Sequence, residues 1–256
     1  MPISSILVAL GKIPDAELAA LTVSRAVRAA EVPAGLRFSL SRRLEKEFWD
    51  VWPRMGLQAQ VHFYGEREGF AGALEDSASH TLLLTGEYDF GPKWDQELLR
   101  RFAKTARREA LLTGMIGAAD GAYPPQAYLP GLSERFEAEG AKIVRGLPLV
   151  ESAAPPPTMV VCPGLIFART ETLRRMDLRP ETLSFAAYAS AIPVYVLDRP
   201  VLWPLREEPP ALLRRPLREV LPGTTLARFE QLAGFREGPP EDRRSDLRTR
   251  WGLFTR

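Results

Sequence analysis

The feature that most constrains the fold is a regular alternation of short apolar runs with segments that carry helix signals, over roughly the first half of the chain. The apolar runs are ISSILVAL, LRFSL, LQAQVHFY, HTLLLT and ALLTGMIG. Strands that alternate with helices predict a mostly parallel sheet covered by helices on both faces. We therefore predict an α/β fold.

The segments between these runs carry the helix signals. Asp15 precedes AELAALTVSRAVRAAE and is predicted to be the N-cap of that helix. A helix is also predicted from Asp95, with apolar residues on one stripe and basic residues on the other. SRRLEKEFWDVW and GFAGALEDSAS are predicted to be helical as well.

The second half of the chain is less regular. YPPQAYLPG is predicted to be a loop, and LSERFEAEGAKIV an amphipathic helix or a helix followed by a strand. TMVVCPGLIFART is typical of a strand with a break at Pro163 and Gly164. ETLSFAAYASA has helical periodicity, PVYVLDRPV is predicted to be an edge strand, and TTLARFEQLAGF a short helix. We expect one domain over residues 1–235 and a basic tail over 236–256.

Composition excludes several classes of protein. A net charge of +2 over 256 residues gives no global nucleic-acid footprint, so no nucleic-acid partner is expected. The single cysteine, Cys162, excludes an internal disulfide and a cysteine-based zinc site. No apolar run approaches the roughly 18 to 20 residues that span a bilayer. The start has no basic leader region, so we expect a cytoplasmic protein without a membrane span.

Two carboxylates follow the most apolar run. Glu87 and Asp89 come directly after HTLLLT, which is predicted to be a buried central strand. In open parallel sheets, ligands bind beyond the carboxyl ends of strands, where the strand order reverses. These side chains are therefore candidate ligand-binding residues, although turn residues of this type are often only turn residues.

The order of these pieces resembles the GT-A glycosyltransferases, and more narrowly the N-acetylglucosaminyltransferases that modify a hydroxyproline on a cytoplasmic adaptor protein, with their bacterial relatives. The similarity is collinear and no single motif is specific. The similar pieces are the first strand with DAEL, FGPKWD, LLTGMIGAADGAYPPQAY, PGLIFARTETL, ETLSFAAYASAIPVYVLDRP and LARFEQLAGF. The resemblance implies a GT-A-like fold and sugar transfer from a nucleotide diphosphate.

The chain departs from the family at the metal site. The family holds a divalent ion with Asp-x-His or Asp-x-Asp after the fourth strand, and the matching positions here are Thr85, Gly86 and Glu87. The first acid is absent and Glu87 takes the place of the second. An arginine after the third strand and a downstream metal-binding histidine are missing too. The resemblance therefore implies only a weak Mn²⁺ or Mg²⁺ site, formed by Glu87 alone or by Glu87 with Asp89.

Sugar transfer also needs neutralisation of the diphosphate and a base for the acceptor hydroxyl. Arginines of the tail are the alternative to a metal for the diphosphate, unless that tail is simply solvated. The candidate nucleotide and diphosphate residues are Gly11, Lys12, Asp15, Thr85, Glu87, Arg243, Arg244, Arg248 and Arg250, although Asp15 is explained first as a helix cap. The candidate base is Glu181, with Asp177 as a weaker one; a helix-dipole role is the alternative for Glu181.

Trp94 and Tyr123 are candidates for stacking on the sugar or the base, although core packing is the default interpretation for both. The expected partners are a nucleotide sugar, most simply a UDP-sugar, and a protein or glycan acceptor. Three functions remain open at this point: a glycosyltransferase, a GT-A-shaped binding or structural module without turnover, and a nucleotidyltransferase. The last ranks lowest because the loop after the first strand has only one glycine and one lysine, Gly11 and Lys12.

Overall fold

The computed structural model describes residues 5–11, 13–65, 69–74, 78–105, 107–114, 128–132, 143–148, 154–158, 160–162, 164–179, 183–197 and 201–204. The strands are β1 (Ile6–Gly11), β2 (Leu36–Ser41), β3 (Gln60–Tyr64), β4 (His80–Thr85), β5 (Tyr88–Phe90), β6 (Leu111–Thr113), β7 (Tyr128–Leu132), β8 (Ile143–Pro148), β9 (Pro157–Thr158), β10 (Leu165–Arg169), β11 (Val194–Val196) and β12 (Leu202–Pro204). The helices are α1 (Ala16–Ala29), α2 (Glu45–Val51), α3 (Gly69–Ala73), α4 (Trp94–Ala103), α5 (Thr170–Arg174) and α6 (Leu183–Ala189).

An eight-stranded sheet forms the centre, in the order β3-β2-β1-β4-β10-β6-β11-β9. β1, β2, β3 and β4 are parallel, and β6 is parallel to β11. β10 runs antiparallel between β4 and β6, and β9 is antiparallel to β11 at the edge. The predicted α/β class with a mostly parallel sheet is confirmed. A large mixed sheet of this kind, flanked by helices, fits the expected GT-A-like class.

Side chains of the central strands alternate between two apolar cores. Val8, Leu82 and Leu84 belong to the core that also contains buried residues of α1, α2 and α4. Ala9 and Leu83 belong to the other core, together with buried residues of α3, α5 and α6. Because helices cover both faces, every residue of β1 is buried, which explains why the strand is a continuous apolar run rather than an alternating one.

Most of the predicted elements are present, with shifted bounds, but the edge position predicted for PVYVLDRPV is wrong, because β11 lies between β6 and β9. Asp15 Oδ1 accepts a hydrogen bond from the Leu18 amide at 2.8 Å, so the predicted N-cap of α1 is confirmed. The helix predicted over SRRLEKEFWDVW begins only at Glu45, after a 3₁₀ turn over Arg42–Leu44. The predicted loop YPPQAYLPG is wrong in part, because its last residues lie in β7, which pairs with β8. The helix predicted over TTLARFEQLAGF and the basic tail lie outside the described residues.

None of the helices in the described ranges is long and apolar enough to cross a membrane.

Candidate functional site

β1 and β4 end side by side at the carboxyl edge of the sheet. Gly11 pairs in register with Thr85, and the Gly86 amide donates to the Gly11 carbonyl at 3.1 Å. Gly86 has φ of 97°, a conformation that glycine adopts without strain, so the chain turns sharply just after β4. The half-buried Glu87 follows at once. The ends of β1 and β4 therefore meet at this edge, and Glu87 is the residue after the Gly86 bond to Gly11, where the β1–α1 turn (residues 11–15) begins.

Glu87 and Asp89 do not gather into a metal site with other described residues. Asp89 lies on β5, which pairs with β12, and its Oδ1 accepts from the Phe90 amide at 3.1 Å. Within the described ranges, no group of three or more His, Cys, Asp or Glu side chains could hold a metal ion. A divalent ion needs several oxygen ligands, so these residues alone do not fit one.

Gly164 lies next to Thr85 at this edge of the sheet. Its carbonyl accepts from the Thr85 amide at 3.0 Å. A Cβ added at Gly164 would lie 2.8 Å from Tyr88 Oη, 3.9 Å from Cys162 Sγ and 4.0 Å from Thr85 Oγ1. Two hydroxyls and a thiol therefore converge on the space that only glycine leaves open. No sequence pattern pointed to Tyr88, and the break at Pro163 and Gly164 was the only local feature noted before β10.

The loop that leads to Gly164 is fastened from two sides. Thr113 Oγ1, at the end of β6, accepts from the Cys162 amide at 2.6 Å. Ser184 Oγ, in the first turn of α6, accepts from the Val161 amide at 2.9 Å. The N-terminal turn of α6 is thus held against the loop that contacts the end of β4.

The β1–α1 turn is held by side chains from neighbouring strands. Tyr64 Oη, at the end of β3, donates to the Leu10 carbonyl at 3.3 Å. The Arg43 guanidinium, in the turn after β2, donates to the Ile13 carbonyl at 2.7 Å. The two residues joined by the first bond are 54 positions apart in the chain, and those joined by the second are 30 positions apart. No local sequence pattern could therefore have identified these bonds.

The stacking role predicted for Trp94 is wrong. Its ring is fully buried, and its centroid lies 5.1 Å from that of the Phe90 ring. The indole Nε1–H donates to the Ala26 carbonyl at 2.9 Å. A ring enclosed in this way cannot stack on a sugar or a base. The physical reason is that an indole N–H inside a core needs an acceptor, and the last turn of α1 provides one.

Trp94 belongs to a set of contacts that fastens the end of α1, which we call the α1 clamp: Lys93, Trp94 and Asp95. The Lys93 amide donates to the Ala29 carbonyl at 2.7 Å. The buried Asp95 accepts from the Glu31 and Val32 amides at 2.8 and 2.9 Å. The FGPKWD segment is therefore explained by packing against α1.

Asp177, the weaker candidate base, is engaged by an arginine. Both of its carboxylate oxygens accept from Arg179 Nε, at 3.0 and 2.9 Å. A carboxylate whose two oxygens are engaged in this way is less available to accept a hydrogen bond from an acceptor hydroxyl. The geometry does not support the role predicted for Asp177.

The remaining candidates divide in two. Asp15 is exposed and acts as the N-cap of α1. This hydrogen bond explains Asp15 as a structural residue and does not support its predicted contact with a nucleotide. The other candidates lie outside the described residues: Lys12, Tyr123, Glu181, Arg243, Arg244, Arg248 and Arg250.

The histidines lie away from this edge. His62 Nε2 is 2.9 Å from Ser39 Oγ across β2 and β3, as expected for a structural residue. His80 begins β4 at the opposite edge, and its ring stacks on Phe167 with centroids 5.5 Å apart. Burial, and then the charge of Arg169, lower the pKa of His80 to about 4. His80 is therefore neutral at physiological pH.

Comparisons with known proteins add a likeness to solved structures. No protein-family model matches the chain, and no curated protein matches it by sequence. The chain is similar to the crystal structure of S. aureus TarS 1-349, with a TM-score of 0.49 and 11% sequence identity. The match covers 77% of this chain and 59% of that one, so it spans less than two thirds of the other structure. A likeness at this level carries no argument about function, and the narrower resemblance to hydroxyproline-modifying enzymes stays a prediction.

Proposed function

We propose that this chain binds a nucleotide diphosphate sugar, most simply a UDP-sugar, at the carboxyl edge of the sheet and transfers the sugar to an acceptor hydroxyl. The observation that carries the proposal is the junction of β1 and β4, where Gly11 and Thr85 lie in register and Glu87 follows next to the β1–α1 turn. Parallel sheets bind ligands at such an edge, beyond the carboxyl ends of adjacent strands.

The segment around Gly164 holds the end of β4 in place behind this edge. The Gly164 carbonyl accepts from the Thr85 amide, and the buried Tyr88 hydroxyl packs against Gly164, so the backbone that would contact a ligand is fixed. A site of this kind orients a polar ligand by a few hydrogen bonds while the strands behind it stay rigid.

The proposed base is Glu181, which would accept the proton of the acceptor hydroxyl as the bond between the anomeric carbon and the diphosphate breaks. Support comes from α6, which begins two residues later and holds Ser184 against the Val161 amide. Of the two predicted bases, Glu181 is retained because Asp177 is engaged by Arg179.

The neutralisation of the diphosphate is assigned to cationic side chains rather than to a tightly held metal. The described carboxylates do not by themselves fit a metal site. The candidates are the arginines of the tail, Arg243, Arg244 and Arg248. A weak Mn²⁺ or Mg²⁺ site that forms only with bound diphosphate stays part of the proposal, as do a protein or glycan acceptor and a cytoplasmic location.

A second candidate function is a GT-A-shaped binding module without turnover. Thr85 favours it, because a buried, hydrogen-bonded threonine occupies the position where the resemblance implies the first acidic ligand. Both proposals require nucleotide binding. They differ in turnover, because only the enzyme releases UDP from a donor.

The experiment is a turnover assay with the purified chain and a panel of UDP-sugars, with water, glycans and peptides that contain hydroxyl side chains as acceptors. The enzyme proposal predicts release of UDP from at least one donor above the rate without protein. UDP binding without any release would favour the binding module. Absence of both would contradict the two proposals together.

A further inference from the structure

The β1–α1 turn is fixed by three donors that come from three other elements. The Gly86 amide after β4 donates to Gly11, Tyr64 Oη from β3 donates to Leu10, and the Arg43 guanidinium donates to Ile13. Each donor engages a carbonyl on a different residue of the strand end or the turn. Two of these carbonyls lie at the end of β1 and one lies in the turn, and a backbone segment held in this way has fewer alternative conformations to lose when a ligand binds.

Arg43 makes the most exposed of these three contacts, and also the shortest. Its 2.7 Å bond to the Ile13 carbonyl is charge-assisted, a class of hydrogen bond about twice as strong as a neutral one. Both ends of the bond are anchored, because the side chains of Ile13 and Leu44, the neighbour of Arg43, are buried in the same core. The bond therefore ties the turn to the rigid segment that follows β2.

We infer that Arg43 is a positioning residue for nucleotide binding: it holds the β1–α1 turn in the conformation that the ligand requires. The inference rests on the proposed function, since it concerns the same edge of the sheet. It assigns Arg43 an effect on ligand affinity through the turn. A lysine keeps the charge but lacks the planar, multiply donating head that reaches a carbonyl in a fixed direction, so it should replace Arg43 only in part.

The chain offers a matched control in the adjacent residue. Arg42 is also exposed and also donates to a backbone carbonyl, that of Phe63 on β3, at 3.3 Å. Loss of either guanidinium removes one positive charge together with the arginine–carbonyl bond described for it. Only the loss of Arg43 releases the β1–α1 turn.

The experiment compares UDP affinity by calorimetry in the full chain and in three variants, Arg43→Met, Arg43→Lys and Arg42→Met, well below their melting temperatures. We expect Arg43→Met to weaken UDP binding roughly 5- to 30-fold, Arg43→Lys to recover part of that loss, and Arg42→Met to change it less than about 2-fold. Equal affinities for Arg43→Met and Arg42→Met would overturn the inference, because a general charge or stability effect would act alike in both.

Hydrogen exchange in the absence of nucleotide separates this inference from the proposed function. The peptide that spans the β1–α1 turn should exchange faster in Arg43→Met than in Arg42→Met, since only the first loses the bond to Ile13. If the turn loosens but the unmodified chain binds no UDP, the proposed function fails and the role of Arg43 in binding fails with it. If the chain binds UDP and the turn exchanges alike in both variants, Arg43 alone loses its role.

Discussion

Replacement of Asp95 by alanine should destabilise the chain strongly without affecting ligand binding. Asp95 is buried at the start of α4, and its carboxylate accepts from the amides of Glu31 and Val32, just beyond the end of α1. Alanine would leave both amides without this acceptor and would remove a negative charge from the first turn of a helix. The first effect concerns two bonds to a charged group, and the second concerns the helix dipole.

The expected loss follows from these two effects. Hydrogen bonds to charged groups contribute about 1.5–3 kcal/mol each, and a first-turn carboxylate about 0.3–1 kcal/mol. Water can reach part of the Glu31 and Val32 backbone, because neither residue is buried, so the two bonds do not count in full. We expect the free energy of unfolding to fall by about 2–4 kcal/mol. For a chain of this size the melting temperature should then fall by about 5–15 °C.

The assay is urea unfolding followed by tryptophan fluorescence, with Asp50→Ala as the control. Asp50 is exposed on α2, so its loss should change the free energy of unfolding by less than about 0.5 kcal/mol. UDP affinity should be the same in both variants, because α1, of 14 residues, separates the α1 clamp from the β1–α1 turn by about 20 Å. Equal stabilities, or a loss of UDP binding in a stable Asp95→Ala protein, would refute the clamp.

Three further predictions concern the proposed base Glu181, the close contact at Gly164 and the pH dependence of stability. Glu181→Gln should lower sugar transfer by about 10²–10⁴-fold with UDP affinity retained; intact transfer with a lower melting temperature would instead identify a helix-dipole residue. Gly164→Ala places a Cβ 2.8 Å from Tyr88 Oη, so it should cost on the order of 1–3 kcal/mol in urea unfolding, and a neutral substitution would contradict the close approach. The pKa of His80 is lowered from 6.5 to about 4 in the folded protein, so the unfolded chain binds its proton first as the pH falls. The free energy of unfolding should therefore be constant in this respect above about pH 6.5 and should fall by about 1–3 kcal/mol between pH 6.5 and pH 4, less than the full shift implies because His80 is partly exposed. His80→Phe should remove this part of the pH dependence. An unchanged pH profile in that variant would show that the pKa shift is absent.

The sequence predicted those parts of the fold that local patterns encode. β1 and β4 are buried on both faces, so each is a continuous apolar run, and the cap of α1 depends only on Asp15 and an amide three residues later. The direction of β10 could not be predicted in this way, because an apolar strand has the same pattern whether it runs parallel or antiparallel to its neighbours.

The candidate site was predicted only where position in the sheet determines it. Glu87 was found because it follows a buried central strand. Trp94 was misassigned because an aromatic residue after a turn looks the same in sequence whether it faces a ligand or the core. Arg43 and Tyr64 were missed because their bonds to the β1–α1 turn join residues far apart in the chain.

Calorimetry of UDP binding, with and without Mn²⁺, tests the central claim most directly. The account predicts saturable binding of UDP at one site, little or no Mn²⁺ binding to the free chain, and at most a modest gain in UDP affinity with Mn²⁺. Glu87→Gln should alter UDP binding or its response to Mn²⁺, whereas Glu17→Gln, an exposed residue of α1, should not. If UDP does not bind, or if it binds equally to all three proteins and with the same response to Mn²⁺, the carboxyl edge at Gly11 and Thr85 is not the nucleotide site.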